Sequence, residues 1–260
     1  MSTIRIKDQT TEQAAEAMTR AKVAILPVGA VEQHGPHLSL LTDATIAEAF
    51  AESLAGRLDE QAILFPLQPY GISEHHENFA GTVTLSPMTF IAVMVDLAAS
   101  LKSQGFTRII FVNGHGGNID ALSIATRRIR SELGVLAASV MWARLARDLC
   151  AELASGPRYG HACELETSVA MFLAPELVHS ERIQRPGQHR EIDSLSAPHG
   201  FVDVAPRFDD LTTDGVYGDP TAAHAGLGEQ IVARAMERAE TFCRRFIRDD
   251  WPHPGQHEEL

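Results

Sequence analysis

Acidic and histidine side chains cluster directly after the first predicted buried strand of this 260-residue chain. Glu32 and His34 are two residues apart, so their side chains point to the same side of an extended backbone. Asp43 lies where the next predicted helix begins. A lone Glu or His in a loop is most often a solvated polar residue. Three different potential ligands in one strand-to-helix connection instead favour a binding site.

Two more segments carry side chains of the same types. His115 lies between glycines in Asn113-Gly114-His115-Gly116-Gly117-Asn118, where the glycines allow a tight turn that aims the imidazole into a site. A phosphate-binding loop is disfavoured, because neither Gly-x-Gly-x-x-Gly nor a Gly-Lys-Ser/Thr triplet is present. A hydrogen-bonded structural histidine remains the alternative.

The third segment is Tyr159-Gly160-His161-Ala162-Cys163-Glu164-Leu165-Glu166. We expect a helix to begin near Ala162, with His161 at its entrance and Glu166 projecting inward from the first turn. Glu164 is two positions from Glu166 and falls on a different helical face. We therefore expect Glu164 to be solvated.

The five candidate ligands from these segments are three carboxylates and two imidazoles, with no thiolate among them. The set is Glu32, His34, Asp43, His115 and Glu166. Mixed oxygen and nitrogen donors suit zinc, manganese or iron. Two such ions about 3.5–4 Å apart, bridged by a carboxylate and a water, generate hydroxide near neutral pH and polarise a carbonyl. The pattern predicts two divalent metal ions in a hydrolase site.

The elements that must position these residues are alternating strands and helices. Strands are predicted at 22–28, 62–67, 108–112 and 135–141, and helices at 42–58, 87–104, 118–133, 162–173 and 221–249. The order favours a single-domain α/β fold with a mostly parallel sheet. Ligands of such folds collect at the carboxyl ends of the strands, where the first two clusters lie. Residues 174–218 are predicted to be long loops, and 251–260 a loose tail after a domain spanning 1–250.

Composition excludes several other classes of function. The net charge of −12 and the lack of a basic stripe argue against a nucleic-acid partner. No apolar run reaches the 18 or more residues of a membrane span, and the N-terminus lacks a signal-peptide core, so we expect a cytoplasmic protein without membrane contact. The three cysteines have no metal or disulfide spacing and are expected to be small buried hydrophobes.

In these residues the sequence resembles the creatininase family. The resemblance implies a three-layer α/β/α sandwich, metal-dependent hydrolysis of carbon–nitrogen bonds other than peptide bonds, and a homo-oligomer, commonly a hexamer. The segments that carry it span about residues 20–170. They are Pro27-Val28-Gly29-x-x-Glu32-Gln33-His34-Gly35-Pro36-His37, Thr42-Asp43, Gly71-Ile72-Ser73-Glu74-His75, Phe79-Ala80-Gly81-Thr82, Asn113-Gly114-His115-Gly116-Gly117-Asn118 and His161-Ala162-x-x-x-Glu166-Thr167-Ser168, with a looser Gly215-Val216-Tyr217-Gly218-Asp219-Pro220.

The resemblance also implies individual roles. Glu32 and His115 would bind one ion, His34 the other, and Asp43 would bridge them. Gly117 stands where creatininase itself has a glutamate, so Glu166 is expected to complete the second site. His161 is expected to donate a proton to the departing nitrogen. The expected substrate contacts are Ser73, His75 and Tyr159, and His75 has the alternative role of capping a loop.

The substrate is expected to be a small cyclic amide, lactam or formamide. Creatinine is not favoured, because the tryptophan that precedes the equivalent of His161 in creatininase is absent from 155–159. Two family chemistries are alternatives: deformylation of a formamidopyrimidine nucleotide and trimming of a mycofactocin-type peptide. A phosphate-bearing substrate would need a basic pocket, for which the arginines at 158, 182, 185 and 190 are candidates. We expect these arginines to make subunit contacts instead. A non-catalytic metal- or ligand-binding protein is the alternative from another class.

Overall fold

A five-stranded parallel sheet forms the centre of the fold in the computed structural model, which describes residues 3–156, 159–190 and 204–248. The expectations for Arg158 and for the tail at 251–260 lie outside the described residues. The strand order is β1-β3-β2-β4-β5, and every paired strand is parallel to its neighbour. The strands are β1 Ile4–Arg5, β2 Val23–Val28, β3 Ala62–Leu64, β4 Arg108–Asn113 and β5 Leu136–Val140.

Helices connect the strands, as parallel pairing requires. The helices are α1 Thr11–Met18, α2 Thr42–Leu58, α3 Pro87–Ser103, α4 Ile119–Arg128, α5 Trp142–Leu145, α6 Arg147–Leu153, α7 Glu164–Leu173, α8 Phe208–Leu211 and α9 Ala225–Phe246. Within the described ranges, no helix combines the length and apolar character that a membrane crossing needs.

Alternate residues of the central strands enter two separate hydrophobic clusters. In β2, Val23 and Ile25 pack with α2, α7 and α9, whereas Ala24 and Leu26 pack with α3 and α4. This alternation follows from the two-residue period of a strand that is buried on both faces. The sheet therefore lies between two helical layers, and the predicted three-layer α/β/α class is confirmed.

Local signals in the sequence set several element boundaries. Ser86 caps α3 by accepting the Thr89 N–H, with Pro87 in the first turn, as expected. Gly134 adopts φ 71° at the end of a π turn, Ile129–Leu133, that extends α4. Within 174–190 and 204–218, the described part of the predicted loop region, short helical turns alternate with loops, and α8 is one of these turns.

The elements that the sequence analysis missed are short or lie at the edge. They are β1, α1, α5, α6 and α8. Strand β1 has two residues and, among the described strands, pairs with β3 alone, and α1 is a surface helix in which Ala17 is its one buried residue. Neither element has enough buried apolar positions to show a hydrophobic period.

Candidate metal centre

The loops after β2 and β4 leave the sheet side by side, because Val28 pairs with Asn113 at the ends of these strands. The N-terminus of α2 packs tightly on both loops. A Cβ at Gly29 would overlap the backbone of Ala44, and a Cβ at Gly114 would overlap the carbonyl oxygen of Asp43. Glycine at these two positions therefore lets the start of α2 approach both loops.

This close approach places Asp43 and Glu32 against opposite edges of the His115 ring. His115 Nδ1 is 3.0 Å from Asp43 Oδ2, and His115 Nε2 is 3.2 Å from Glu32 Oε2. All three side chains are buried. Three of the five predicted ligands thus meet at the carboxyl edge of the sheet.

The other two predicted ligands meet on the far side of Asp43. His34 Nε2 is 3.3 Å from Asp43 Oδ1 and 3.8 Å from Glu166 Oε1. The second oxygen of Glu166 accepts the Ala162 N–H at 2.6 Å. Ala162 adopts φ 49°, a left-handed conformation that is uncommon outside glycine. This strained residue turns its N–H toward Glu166 and fixes the carboxylate next to His34.

The donors fit a divalent cation. Three buried ligand atoms of the site make no well-aligned hydrogen bond among the described residues, although each lies 3.0–3.3 Å from another atom of the cluster: Glu32 Oε1, His34 Nε2 and Asp43 Oδ2. Buried polar atoms without well-aligned partners are costly, and bound metal is one way to satisfy them. The chemistry of the set, carboxylate oxygen and imidazole nitrogen, suits zinc or manganese.

Charge interactions within the cluster shift its pKa values strongly. Burial raises the pKa of Glu32 to about 7, although His115 opposes this shift. Burial lowers the pKa of His115, but Glu32 and Asp43 outweigh it and raise the value to about 9. The pKa of His34 is likewise raised, because Asp43 outweighs burial. In the metal-free chain, protonated imidazole rings therefore balance the negative charge of the carboxylates, as bound cations would.

The three residues that the resemblance predicts to contact substrate, Ser73, His75 and Tyr159, have different surroundings. Ser73 is buried and donates its hydroxyl to Glu32 Oε2 at 2.6 Å. His75 is half-buried and stacks on His115, with ring centroids 5.6 Å apart. Its pKa is lowered to about 4 by burial and by His115. Tyr159 packs against the hydrophobic cluster of α2, α7 and α9, so its contact with substrate stays a prediction.

His161 lies between the two halves of the cluster. Its Nδ1 is 3.7 Å from Glu32 Oε1, and its ring centroid is 4.4 Å from that of His34. Its pKa is lowered, chiefly by burial and then by His34. The lowered pKa favours the neutral imidazole.

Two residues of the site were missed by the sequence analysis. His76 is buried with Nε2 3.3 Å from Glu32 Oε1, and the Gln33 side chain contacts both His76 and His161. The His75-His76 doublet, in a short helical turn at Glu74–His76, was the available signal. The expectation that Glu164 is solvated was wrong, because Glu164 is buried and accepts hydrogen bonds from Ser155. All residues from Glu164 to Ala170 at the start of α7 are buried, so Glu164 is enclosed even though it lies on a different helical face from Glu166.

The cluster offers several compact sets of three donors. In each set one ligand atom per residue lies within 4.8 Å of the others. The sets are Glu32, His76 and His161; Glu32, His75 and His115; His34, His161 and Glu166; and Glu32, His34 and Asp43. The divalent-metal site therefore has more donors than the five predicted ligands.

Gly117 has no room for a side chain. A Cβ at this position would overlap the carbonyl oxygen of Ile72 and Nε2 of His115. A glutamate could not enter the cluster from position 117 without moving the backbone. The carboxylate next to His34 comes instead from Glu166, on a different element.

A parallel sheet between helical layers, with buried carboxylates and imidazoles at its carboxyl edge, is typical of metal-dependent hydrolases. A sequence model of one such family, creatininase, described as creatinine amidohydrolase, matches residues 7–243. The chain belongs to the creatininase family. It is thus an amidohydrolase that acts on carbon–nitrogen bonds.

Similar proteins support this assignment. The mycofactocin precursor peptide peptidase of Mycobacterium tuberculosis (strain CDC 1551 / Oshkosh) is 34% identical over 238 residues, 88% of this chain and 86% of the relative. The protein of the same name from Mycolicibacterium smegmatis is 32% identical over 237 residues, covering 87% and 86%. A crystal structure from Bacteroides fragilis NCTC 9343, assigned to creatinine amidohydrolase, superposes with a TM-score of 0.82 at 26% identity and covers 97% of this chain and 100% of its own.

Proposed function

We propose that this amidohydrolase holds two divalent metal ions and cleaves an amide bond of a small, peptide-derived substrate. The position of Asp43 carries the proposal. Its Oδ1 lies 3.3 Å from His34 and its Oδ2 lies 3.0 Å from His115. A buried carboxylate that faces two imidazoles from different loops matches the arrangement in which one carboxylate bridges two ions.

Glu32 and His115 would hold one ion and His34 and Glu166 the other, with Asp43 shared. When bound, zinc or manganese at such a centre lowers the pKa of a water toward neutrality and polarises a carbonyl oxygen. Ser73 orients Glu32 through its hydrogen bond. Hydrogen bonds of this kind to metal-binding carboxylates fix their direction.

His161 would supply the proton that the departing nitrogen needs. An amide nitrogen is a poor leaving group until it is protonated, so a positioned acid contributes directly to the rate. His161 borders both His34 and Glu32 in the cluster. This position places His161 next to a proposed ligand of each ion.

A cavity of about 760 Å³ adjoins the cluster at His75 and Gly117 and would receive the substrate. Its lining is mixed: Ile72, Ile91 and Ile124 are apolar, and Glu74, Glu77, Asp120 and Arg207 are charged. The proposed substrate therefore combines an apolar part with polar groups.

The peptide-derived substrate class is drawn from the two mycobacterial relatives, which are named as peptidases of the mycofactocin precursor peptide. Cyclic amides, lactams and formamides belong in the same screen. Assembly into a homo-oligomer, a hexamer by resemblance, stays a prediction that analytical ultracentrifugation tests.

The test incubates zinc- or manganese-loaded protein with short peptides, lactams and formamides, and follows hydrolysis by mass spectrometry. We expect cleavage of a peptide amide by the wild type and by Asp96→Asn, which changes an exposed carboxylate on α3 outside the cavity. Asp43→Asn should be inactive. A metal-loaded protein that cleaves none of the three classes, or an Asp43→Asn variant of wild-type activity, would contradict the proposal.

A further inference from the structure

The buried side-chain amide of Gln33 is fixed at both ends by backbone groups. Its Oε1 accepts the Gly35 N–H at 2.9 Å, and its Nε2 donates to the Gly215 carbonyl at 3.0 Å. A backbone N–H can only donate and a carbonyl can only accept, so the amide has a single orientation. A Cβ at Gly215 would overlap this amide, so glycine lets the loop pass directly over it.

The amide nitrogen also faces two histidine rings. Gln33 Nε2 is 2.8 Å from His76 Nδ1 and 3.0 Å from His161 Nε2. It has only two hydrogens, and one is used on Gly215. His161 Nε2 lies 2.8 Å from the backbone oxygen of Gln33, which can only accept. His161 Nε2 must therefore carry a proton, so the second amide hydrogen goes to His76 Nδ1.

This elimination assigns a tautomer to each ring. His76 accepts at Nδ1, so its proton sits on Nε2, 3.3 Å from Glu32 Oε1. Because the backbone oxygen of Gln33 requires a proton on His161 Nε2, an uncharged His161 ring has its lone pair on Nδ1, 3.7 Å from the same oxygen. Glu32 Oε1 thus faces one N–H and one lone pair.

We infer that Gln33 is a positioning residue that sets the tautomers of His76 and His161, and that His76 presents an N–H to the reaction centre. The consequence for turnover rests on the proposed function. His161 starts the cycle as a proton acceptor at Nδ1. It takes a proton from the attacking water and returns it to the departing nitrogen, so that C–O and N–H bonds replace C–N and O–H bonds.

The test reads the tautomers directly by long-range ¹H–¹⁵N correlation on zinc-loaded, ¹⁵N-histidine-labelled protein. The variants His76→Gln and His161→Gln assign the two rings. We expect both rings of the wild type to carry their proton on Nε2. A proton on His76 Nε2 supports the inference. A metal ion bound to His76 Nε2 overturns it. A proton on Nδ1 of either neutral ring also overturns it.

Gln33→Glu provides the matched perturbation, because it replaces the amide donor by an acceptor of the same shape. We expect the His76 proton to move to Nδ1, while Gln104→Glu, the same change at an exposed site, leaves both tautomers unchanged. An unchanged His76 tautomer in folded Gln33→Glu would contradict the positioning role. The spectra are independent of turnover, so failure of the proposed function leaves this test intact.

Kinetics give a second measurement. Gln33→Glu should reduce kcat by about 10- to 100-fold, the usual cost of altering a residue that orients a site. KM should change by less than kcat, since Gln33 is expected to orient groups and not to bind substrate. A loss confined to KM would contradict the inference.

Discussion

Glu166 Oε1 lies 3.8 Å from His34 Nε2, although strands β3, β4 and β5 lie between the two residues in the sequence. The other Glu166 oxygen is held by the Ala162 N–H, so the first oxygen is directed at His34. This pair gives the centre a carboxylate that position 117 cannot supply.

Glu166→Gln should remove one of the two ions, because an amide is a much weaker metal ligand than a carboxylate. Elemental analysis of the purified variant checks this. Glu164→Gln is the matched control: Glu164 is buried on the same helix but accepts its hydrogen bonds from Ser155. We expect Glu164→Gln to retain both ions. Equal metal content in the two variants would argue against Glu166 as a ligand.

Gly117→Ala should destabilise the fold by about 1–3 kcal/mol, the usual cost of forcing extra atoms into a packed interior. The added Cβ would overlap the Ile72 carbonyl and His115 Nε2. Gly116→Ala is the control, since a Cβ there meets nothing within 4 Å. Denaturant unfolding of the two variants measures the difference. Similar stabilities would show that the backbone at Gly117 adjusts readily.

Metal uptake should release protons near neutral pH. Burial lowers the pKa of His115, but Glu32 and Asp43 raise it to about 9 in the metal-free chain, so the ring must lose a proton to bind a cation. Apparent affinity should therefore rise with pH up to about 9. Calorimetry in buffers of different ionisation enthalpy counts the protons. The release should fall in His115→Gln, and no release by the wild type would contradict the assignment.

The raised pKa of His115 also makes the stability of the metal-free chain depend on pH. The folded-state pKa of His115 is raised, so its contribution to stability is fully present below the unfolded value of 6.5 and is lost as pH rises through about 9. The stabilisation gained on adding zinc should therefore be larger at pH 9 than at pH 6. Thermal unfolding with and without zinc measures this gain.

His161→Gln should keep both ions and lose activity by about 100- to 10,000-fold, the range for a general acid–base group. His224→Gln is the control, because His224 caps α9 through the Leu227 N–H and lies outside the cluster. Metal analysis and turnover are measured on the same samples. Loss of an ion from His161→Gln would make His161 a ligand, and full activity would remove it from the chemistry.

The convergence of the five candidate ligands could be predicted from the sequence, because each candidate follows a strand end or lies near a helix start. Val28 and Asn113 end neighbouring parallel strands, so the loops carrying Glu32 and His115 had to meet. His76 was missed because it lies in a loop far from any predicted strand end. The role of Gln33 depends on the Gly215 carbonyl, which is distant in sequence and lies in a loop region that hydrophobic periodicity does not describe.

The central claim is a two-ion centre bridged by Asp43, and elemental analysis of wild type, Asp43→Asn and Asp96→Asn tests it most directly. After supply of zinc or manganese and removal of loosely bound metal, we predict two ions per chain in the wild type and in Asp96→Asn. Asp43→Asn should lose both. A wild type that binds no ion, or an Asp43→Asn variant that retains two, would contradict the account.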